Sequence, residues 1–72
     1  MRNLENKYPN KLKALRLEKN LTLKEVATLL NLQSENRLCR WEKGQSTPSV
    51  MNLMKLCKLY NVPVEDLYQA EV

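Results

Sequence analysis

A chain of 72 residues has room for one domain. It contains no histidine, and its two cysteines, Cys39 and Cys57, are far apart in the sequence, which leaves too few ligands for a four-ligand zinc site. The net charge is +4, and residues 1–64 hold all twelve lysines and arginines against five acids, so the body of the chain suits a polyanionic partner.

The first predicted helix begins at Asn10 and ends at Asn20. Asparagine is a favoured N-cap residue, and it also tolerates the left-handed backbone that ends many helices. Leu12, Leu15 and Arg16 fall on one face of this helix at intervals of three and four residues. An arginine therefore shares the apolar face.

The second predicted helix has the clearest start signal in the chain. Thr22 and Glu25 are spaced as a capping box, in which each side chain accepts a hydrogen bond from the backbone amide of the other residue. The helix is expected to end near Leu30 or Asn31. Its apolar stripe includes a small residue for close helix contact, and these residues are Val26, Ala27, Leu29 and Leu30.

The third predicted helix covers residues 35–42, with Ser34 as its N-cap and Gly44 as its stop signal. Its inward face is expected to hold Leu38, Trp41 and Glu42.

A fourth helix is predicted to begin with Thr47 as N-cap and Pro48 at the first helical position. Proline is tolerated there because a backbone N–H at this position would have no acceptor within the helix. Asn61 is expected to end it. Apolar residues repeat along it at helical spacing, namely Val50, Leu53, Met54, Cys57 and Tyr60.

A short last helix is predicted to begin at Pro63, with Glu65 and Asp66 in its first turn, where the helix dipole favours acids. The chain thus reads as an all-α, compact bundle of about five short helices.

The second and third helices fit a helix-turn-helix. Ala27 is small enough for the crossing of the two helices, and the exposed face of the third helix carries hydrogen-bonding side chains. Arginine can pair with guanine, asparagine with adenine, and glutamate with the cytosine amino group. These side chains belong to Glu35, Asn36, Arg37 and Arg40.

Residues 12–68, about four-fifths of the chain, resemble the lambda-repressor/Cro-like (XRE) family of helix-turn-helix DNA-binding domains. The matching segments occur in the family's order. They are LR at 15–16, LTLKEVA at 21–27, RWEKG at 40–44, PS at 48–49 and YNVPVEDL at 60–67. Two features depart from the family: Leu23 stands where a glutamine is usual, and the turn at 31–34 is one residue longer, with Asn31 in place of a glycine.

The resemblance implies roles for particular residues. Arg16 and Glu42 correspond to a structural salt bridge that fixes the recognition helix. The positions that touch base edges correspond to Glu35, Asn36 and Arg40. Positions near the phosphate backbone correspond to Arg37, Lys43, Gln45, Ser46 and Thr47, and Lys24 can take over the phosphate contact of the missing glutamine.

These roles predict a sequence-specific transcriptional regulator that reads the major groove of double-stranded DNA, with repression as the expected output. The alternative is an antitoxin-type or other protein-binding module whose main partner is a protein. Specific binding is expected to use a weak homodimer on a two-fold symmetric site. The candidate dimer contacts are Tyr60, Leu67 and Tyr68.

The remaining expectations follow from what the sequence lacks. A single glycine and no histidine argue against an enzyme, and no cofactor or small-molecule ligand is expected. No apolar run approaches the roughly 20 residues of a membrane span, and the N-terminus is not a signal peptide, so a cytoplasmic location with reduced thiols is expected. The predicted organisation is a short arm at 1–8, the DNA-binding domain at 9–69 and a tail at 70–72.

Overall fold

The computed structural model describes residues 7–69. Within this range the chain forms α1 (Leu12–Glu18), α2 (Leu23–Leu29), α3 (Glu35–Glu42), α4 (Val50–Tyr60) and a 3-10 helix at Val64–Asp66. The predicted all-α architecture is confirmed, and α3 has the predicted bounds.

The prediction of a fifth helix at 63–68 is wrong in extent, because this segment forms only one 3-10 turn. The backbone amide of Lys11 donates to the carbonyl of Leu67 at 3.2 Å, and Asn10 forms an isolated antiparallel bridge with Tyr68. The chain after Asp66 therefore pairs with the segment before α1 instead of continuing a helix.

The two clearest helix starts are as predicted. In the capping box of α2, the Glu25 amide donates to the Thr22 hydroxyl at 3.0 Å, and the Thr22 amide donates to the Glu25 carboxylate at 2.8 Å. At the start of α3, the Ser34 hydroxyl accepts a hydrogen bond from the amide of Asn36 at 3.4 Å. Local side-chain chemistry thus defines where the two helices of the motif begin.

The predicted start of α4 is wrong. Ser49 is the N-cap, its hydroxyl accepts a hydrogen bond from the Asn52 amide at 3.3 Å, and the helix begins at Val50. Thr47 and Pro48 lie before the helix, because Ser49 satisfies an amide of the first turn that would otherwise lack a partner.

The start of α1 is also shifted from the prediction. Lys11 is the N-cap, and the Asn10 side chain instead accepts a hydrogen bond from the Leu12 amide at 3.0 Å. The same Asn10 side chain donates to the carbonyl of Trp41 at 2.9 Å. Asn10 therefore ties the entry of α1 to the end of α3.

All four α-helices end in the same way. After each one, a residue with positive φ is followed by an amide that donates to the carbonyl five residues earlier, as in the Schellman motif. The predicted left-handed residues are confirmed at Asn20 and Asn31, and the predicted helix ends at Asn61 and Gly44 are also confirmed, both with positive φ. Asparagine and glycine adopt this conformation at the lowest steric cost, so these residues define the helix lengths.

One hydrophobic core joins all the helices. Its buried members come from the four α-helices, from the residue that follows α2 and from the residue that follows the 3-10 helix, and are Leu12, Val26, Leu30, Leu38, Trp41, Leu56, Tyr60 and Leu67. Ala27 is also buried, and α2 and α3 form the most extensive contact between elements. A small residue at this position allows the close approach of the two helices.

Several predicted positions of apolar residues are corrected. Leu29 is 59% exposed, so it lies outside the apolar stripe of α2, and Val50 and Met54 are 73% and 56% exposed on α4. Of the three candidate dimer contacts, Tyr68 is partly buried, whereas Tyr60 and Leu67 are only 4% and 1% exposed. Their side chains fill the core and are unavailable to a second copy.

The predicted arm at 1–8 lies outside the described residues except for its last two, as does the predicted tail at 70–72. The backbone amide of Tyr8 donates to the carbonyl of Gly44 at 3.0 Å, so the described end of the arm is attached to the end of α3. Among the helices at 7–69, none is both long and apolar enough to cross a membrane.

Candidate nucleic-acid interface

The outer face of α3 is polar and exposed. Asn36, Arg40 and Lys43 follow one another at spacings of four and three residues, so they share this face, and all three are exposed. On the opposite face, Leu38 and Trp41 are 0% and 3% exposed. The core therefore fixes which side of α3 is presented to a partner.

The flanks of this outer face differ from each other. Glu35, the first residue of α3, is exposed on one flank, and the partly buried Cys39 lies one turn after it. Arg37 lies on the other flank, and its guanidinium carbon is 5.6 Å from the centroid of the Trp41 ring. Of the predicted base-contacting residues, Asn36 and Arg40 are the more central, and Glu35 is peripheral.

A buried salt bridge attaches α3 to α1. Arg16 Nε donates to Glu42 Oε2 at 2.7 Å, and the second terminal nitrogen donates to Oε1 at 3.2 Å. A third donor of Arg16 reaches the Leu21 carbonyl at 2.8 Å. The two side chains are 8% and 5% exposed. The hydrogen bond to Glu42 raises the pKa of Arg16 more than burial lowers it, so the guanidinium keeps its positive charge although it is buried.

The loop that follows α3 begins on the same surface. Lys43, Gln45 and Thr47 are exposed and Ser46 is partly buried. The backbone is held in place, because the amide of Gln45 donates to the Arg40 carbonyl at 3.0 Å. These four side chains therefore extend the polar face of α3 beyond the end of the helix.

Lys24 lies close to the start of α3. Together with Thr28 of α2 it lines one open cleft that also includes Gln33, Glu35 and Asn36. The structure thus brings a predicted phosphate-contacting residue beside two predicted base-contacting residues. Thr28 and Gln33 were not singled out by sequence. The four-residue spacing from Lys24 is a signal that could have identified Thr28, whereas Gln33 lies in the lengthened turn and has no such signal.

The surface has an excess of positive charge. Its charged side chains are Lys24, Arg37, Arg40, Lys43 and a single acid, Glu35. Arg16–Glu42 is the only ion pair between residues described by the structure, so none of the four basic side chains is neutralised there by a salt bridge. An anionic ligand with phosphates on either side of a groove would match this distribution.

The two cysteines are free thiols and both are partly buried. Burial, with a smaller effect of Glu65, raises the pKa of Cys57 and so makes its thiol less reactive.

Residues 12–67 match the family described as Helix-turn-helix. The chain is 33% identical over 60 residues to the cryptic phage CTXphi transcriptional repressor RstR of Vibrio cholerae, covering 83% of this chain and 53% of that protein. It is 31% identical over 64 residues to the HTH-type transcriptional activator BcrR of Enterococcus faecalis, covering 89% of this chain and 31% of that protein. The chain thus spans about half of one relative and under a third of the other.

Two solved structures have similar folds. A Bacteroides fragilis protein provisionally described as DNA-binding superposes with a TM-score of 0.74 at 32% identity, covering 86% of this chain and 98% of that one. A transcriptional regulator from Listeria innocua gives a TM-score of 0.73 at 19% identity over 89% and 63% of the two chains, and shows the fold alone.

The fold and the polar outer face of α3 define a helix-turn-helix domain. The protein belongs to the helix-turn-helix family that includes the lambda-repressor/Cro-like (XRE) domains, and α2 and α3 are the two helices of its motif.

Proposed function

We propose that this protein binds double-stranded DNA sequence-specifically as a transcriptional regulator, with α3 in the major groove. The observation that carries the proposal is the orientation of α3. Leu38 and Trp41 fix its inner face in the core, and the Arg16–Glu42 salt bridge fixes its end, so its polar outer face is held toward a partner. An α-helix presented in this way fits the width of the major groove of B-DNA.

Arg40 and Asn36 are the proposed base-reading residues at the centre of this face. Arginine donates two parallel hydrogen bonds to guanine, and asparagine pairs in the same bidentate way with adenine. Glu35, on the flank, is the proposed acceptor for a cytosine amino group. DNA phosphates would repel the Glu35 carboxylate. Glu35 is therefore proposed to contribute to sequence selectivity and not to the affinity for DNA.

The basic and polar side chains around this centre are the proposed phosphate contacts. Lys24, on α2, would contact a phosphate on one side of α3. Arg37 and the loop after α3 would contact phosphates on its other sides. Such contacts fix the position of the helix on the duplex without reading sequence. The proposed phosphate-contacting set is Lys24, Arg37, Lys43, Gln45, Ser46 and Thr47.

We further propose that two copies bind a two-fold symmetric site, because one helix of eight residues reads only a few base pairs. With Tyr60 and Leu67 buried, the pairing surface is at the start of α4, where Val50, Met51 and Met54 are 73%, 62% and 56% exposed. This patch begins directly after the proposed phosphate-contacting loop, so a second copy placed there stays beside the same duplex.

Repression is the proposed output, because occupation of a promoter is by itself enough to block transcription. Of the two curated relatives, one is named a repressor and the other an activator. A reporter gene placed behind the selected site tests the direction, and increased transcription would show activation.

Selection of bound duplexes from a random DNA pool tests the function. We expect one enriched sequence with two inverted half-sites about one helical turn apart. Arg40→Ala should cost about 1–3 kcal/mol on that sequence and relax selectivity at one base pair. Lys58→Gln, at an exposed lysine of α4 outside the proposed interface, is the matched control and should retain full selectivity.

The absence of binding to any duplex at low salt would refute DNA binding. Equal weakening by Arg40→Ala on all sequences would instead make Arg40 a phosphate contact, and enrichment of a single asymmetric half-site would refute the two-fold arrangement.

A further inference from the structure

Arg37 is held against an aromatic ring that otherwise belongs to the core. Its guanidinium carbon lies 5.6 Å from the centroid of Trp41, which is four residues further along α3 and therefore on the same side of the helix. Trp41 is 3% exposed, so its ring cannot move to follow the arginine. The guanidinium is the mobile partner, and the buried ring fixes where it rests.

This cation–π contact leaves the hydrogen-bonding groups of Arg37 unoccupied. The ring attracts the positive charge of the guanidinium without accepting a hydrogen bond from each of its N–H groups. Arg37 makes no side-chain hydrogen bond or ion pair with another of the residues described here. The side chain is thus positioned without its donors being used.

Fixing an arginine in advance favours the binding of an anion. A free arginine side chain loses rotamer freedom when it binds, and that loss weakens affinity. Phosphate is matched by the planar, bidentate arrangement of guanidinium donors. An arginine that a buried ring holds at the edge of α3, with its donors unpaired, is therefore suited to contact a phosphate.

We propose that Trp41 is a positioning residue for DNA binding, which orients the Arg37 guanidinium toward a backbone phosphate beside the groove that α3 enters. The inference rests on the proposed function, and it gives Trp41 a role beyond its place in the core. The proposal also gives the two arginines different roles. Arg37, held by Trp41, contributes affinity on any sequence, and Arg40 contributes selectivity.

A double-mutant cycle tests this coupling. The probe is a fluorescein-labelled duplex of arbitrary sequence at low salt, because a phosphate contact needs no specific site. We expect Arg37→Gln to weaken binding and to reduce the slope of log affinity against log salt by about one. Trp41→Leu, which removes the aromatic face, should weaken binding by about two- to fivefold while leaving the salt slope unchanged.

The decisive comparison uses the Arg37→Gln background. If Trp41 acts through Arg37, Trp41→Leu has no further effect on affinity once Arg37 is gone. Trp41→Phe controls for lost core volume: it keeps an aromatic face and should bind more tightly than Trp41→Leu. Equal weakening by Trp41→Leu in both backgrounds would show a structural role only and would overturn the proposal.

Arg37→Lys provides a test that does not perturb the core. Lysine keeps the positive charge but lacks the planar guanidinium that contacts Trp41. We therefore expect weaker binding to the duplex, with the same slope of log affinity against log salt as the wild type. Wild-type affinity in this variant would refute the positioning role. Lys58→Gln, outside the proposed interface, should change neither quantity. Failure of the wild-type protein to bind any duplex would contradict the proposed function itself, so the two failures are distinguishable.

Discussion

At the scale of single residues, Arg16 shows how one side chain can orient a whole helix. Its three hydrogen bonds reach the end of α3 through Glu42 and the connection between α1 and α2 through the Leu21 carbonyl. A buried pair of this kind is valuable mainly because removal of one partner leaves the other charge without compensation. The orientation of the recognition helix therefore depends on both residues being present.

This dependence predicts an asymmetry between single and double replacements of the pair. Arg16→Met should lower the free energy of unfolding by about 3–5 kcal/mol, because Glu42 is left charged and buried. The double variant Arg16→Met, Glu42→Met should recover most of that loss, because no isolated charge remains. Urea unfolding measures both. A loss below about 1 kcal/mol in the single variant would show that the pair is not coupled to folding.

The sequence allowed this pair to be predicted but not the cation–π contact between Arg37 and Trp41. Arg16 and Glu42 were identified because they match a pattern in which the two positions correspond to each other. Arg37 and Trp41 have the spacing of side chains that can meet on a helix, but many such pairs point to solvent. Whether an arginine forms a cation–π contact with a neighbouring ring depends on how the core holds that ring, and this is decided by tertiary packing.

At the scale of the helices, local sequence was sufficient to predict most helix ends but not which face of each helix is buried. The capping box of α2 and the asparagines at the helix ends act on their own backbone, so the sequence predicts them well. Leu29, Val50 and Met54 continue helical periodicity yet are exposed. Periodicity shows that residues can share a face, but only the neighbouring helices decide which apolar residues are covered.

Ser49, and not Thr47, caps α4, so the two residues should respond differently to replacement by alanine. Ser49→Ala should lower the free energy of unfolding by about 1 kcal/mol, because the amide of Asn52 loses its acceptor. Thr47→Ala should have little effect on stability and should weaken binding to DNA, as a lost phosphate contact would. Thermal unfolding and duplex titration of both variants test this. The reverse pattern would restore Thr47 as the cap.

At the scale of the whole molecule, two tyrosines with buried hydroxyl groups, Tyr60 and Tyr68, link the stability of the fold to alkaline pH. Burial raises the pKa of Tyr60 and Tyr68 to about 12, and for Tyr60 the nearby Glu42 adds to this effect while Arg16 opposes it. The unfolded chain releases these phenol protons near pH 10. Stability from this source is therefore complete below pH 10 and is lost as the pH rises toward 12.

Tyr60→Phe tests this linkage. The Tyr60 hydroxyl is buried and has no hydrogen-bond partner among the residues that the structure describes, so its removal should change stability at pH 7 by about 1 kcal/mol or less. At pH 11 the variant should have lost less stability than the wild type, by about 1.4 kcal/mol. Urea unfolding at pH 7 and pH 11 measures this, with Tyr8→Phe as the exposed control. Parallel losses in all three proteins would refute it.

The pairing of Asn10 with Tyr68 has a consequence for how this domain can be combined with others. The bridge between these residues, reinforced by the bond from Lys11 to Leu67, brings the start and the end of the described chain side by side. A domain whose ends meet can be inserted into a loop of a host protein without stretching either one. We therefore expect residues 10–68 to fit into a loop of a host protein while the salt bridge to Arg16 and the core keep α3 in its orientation.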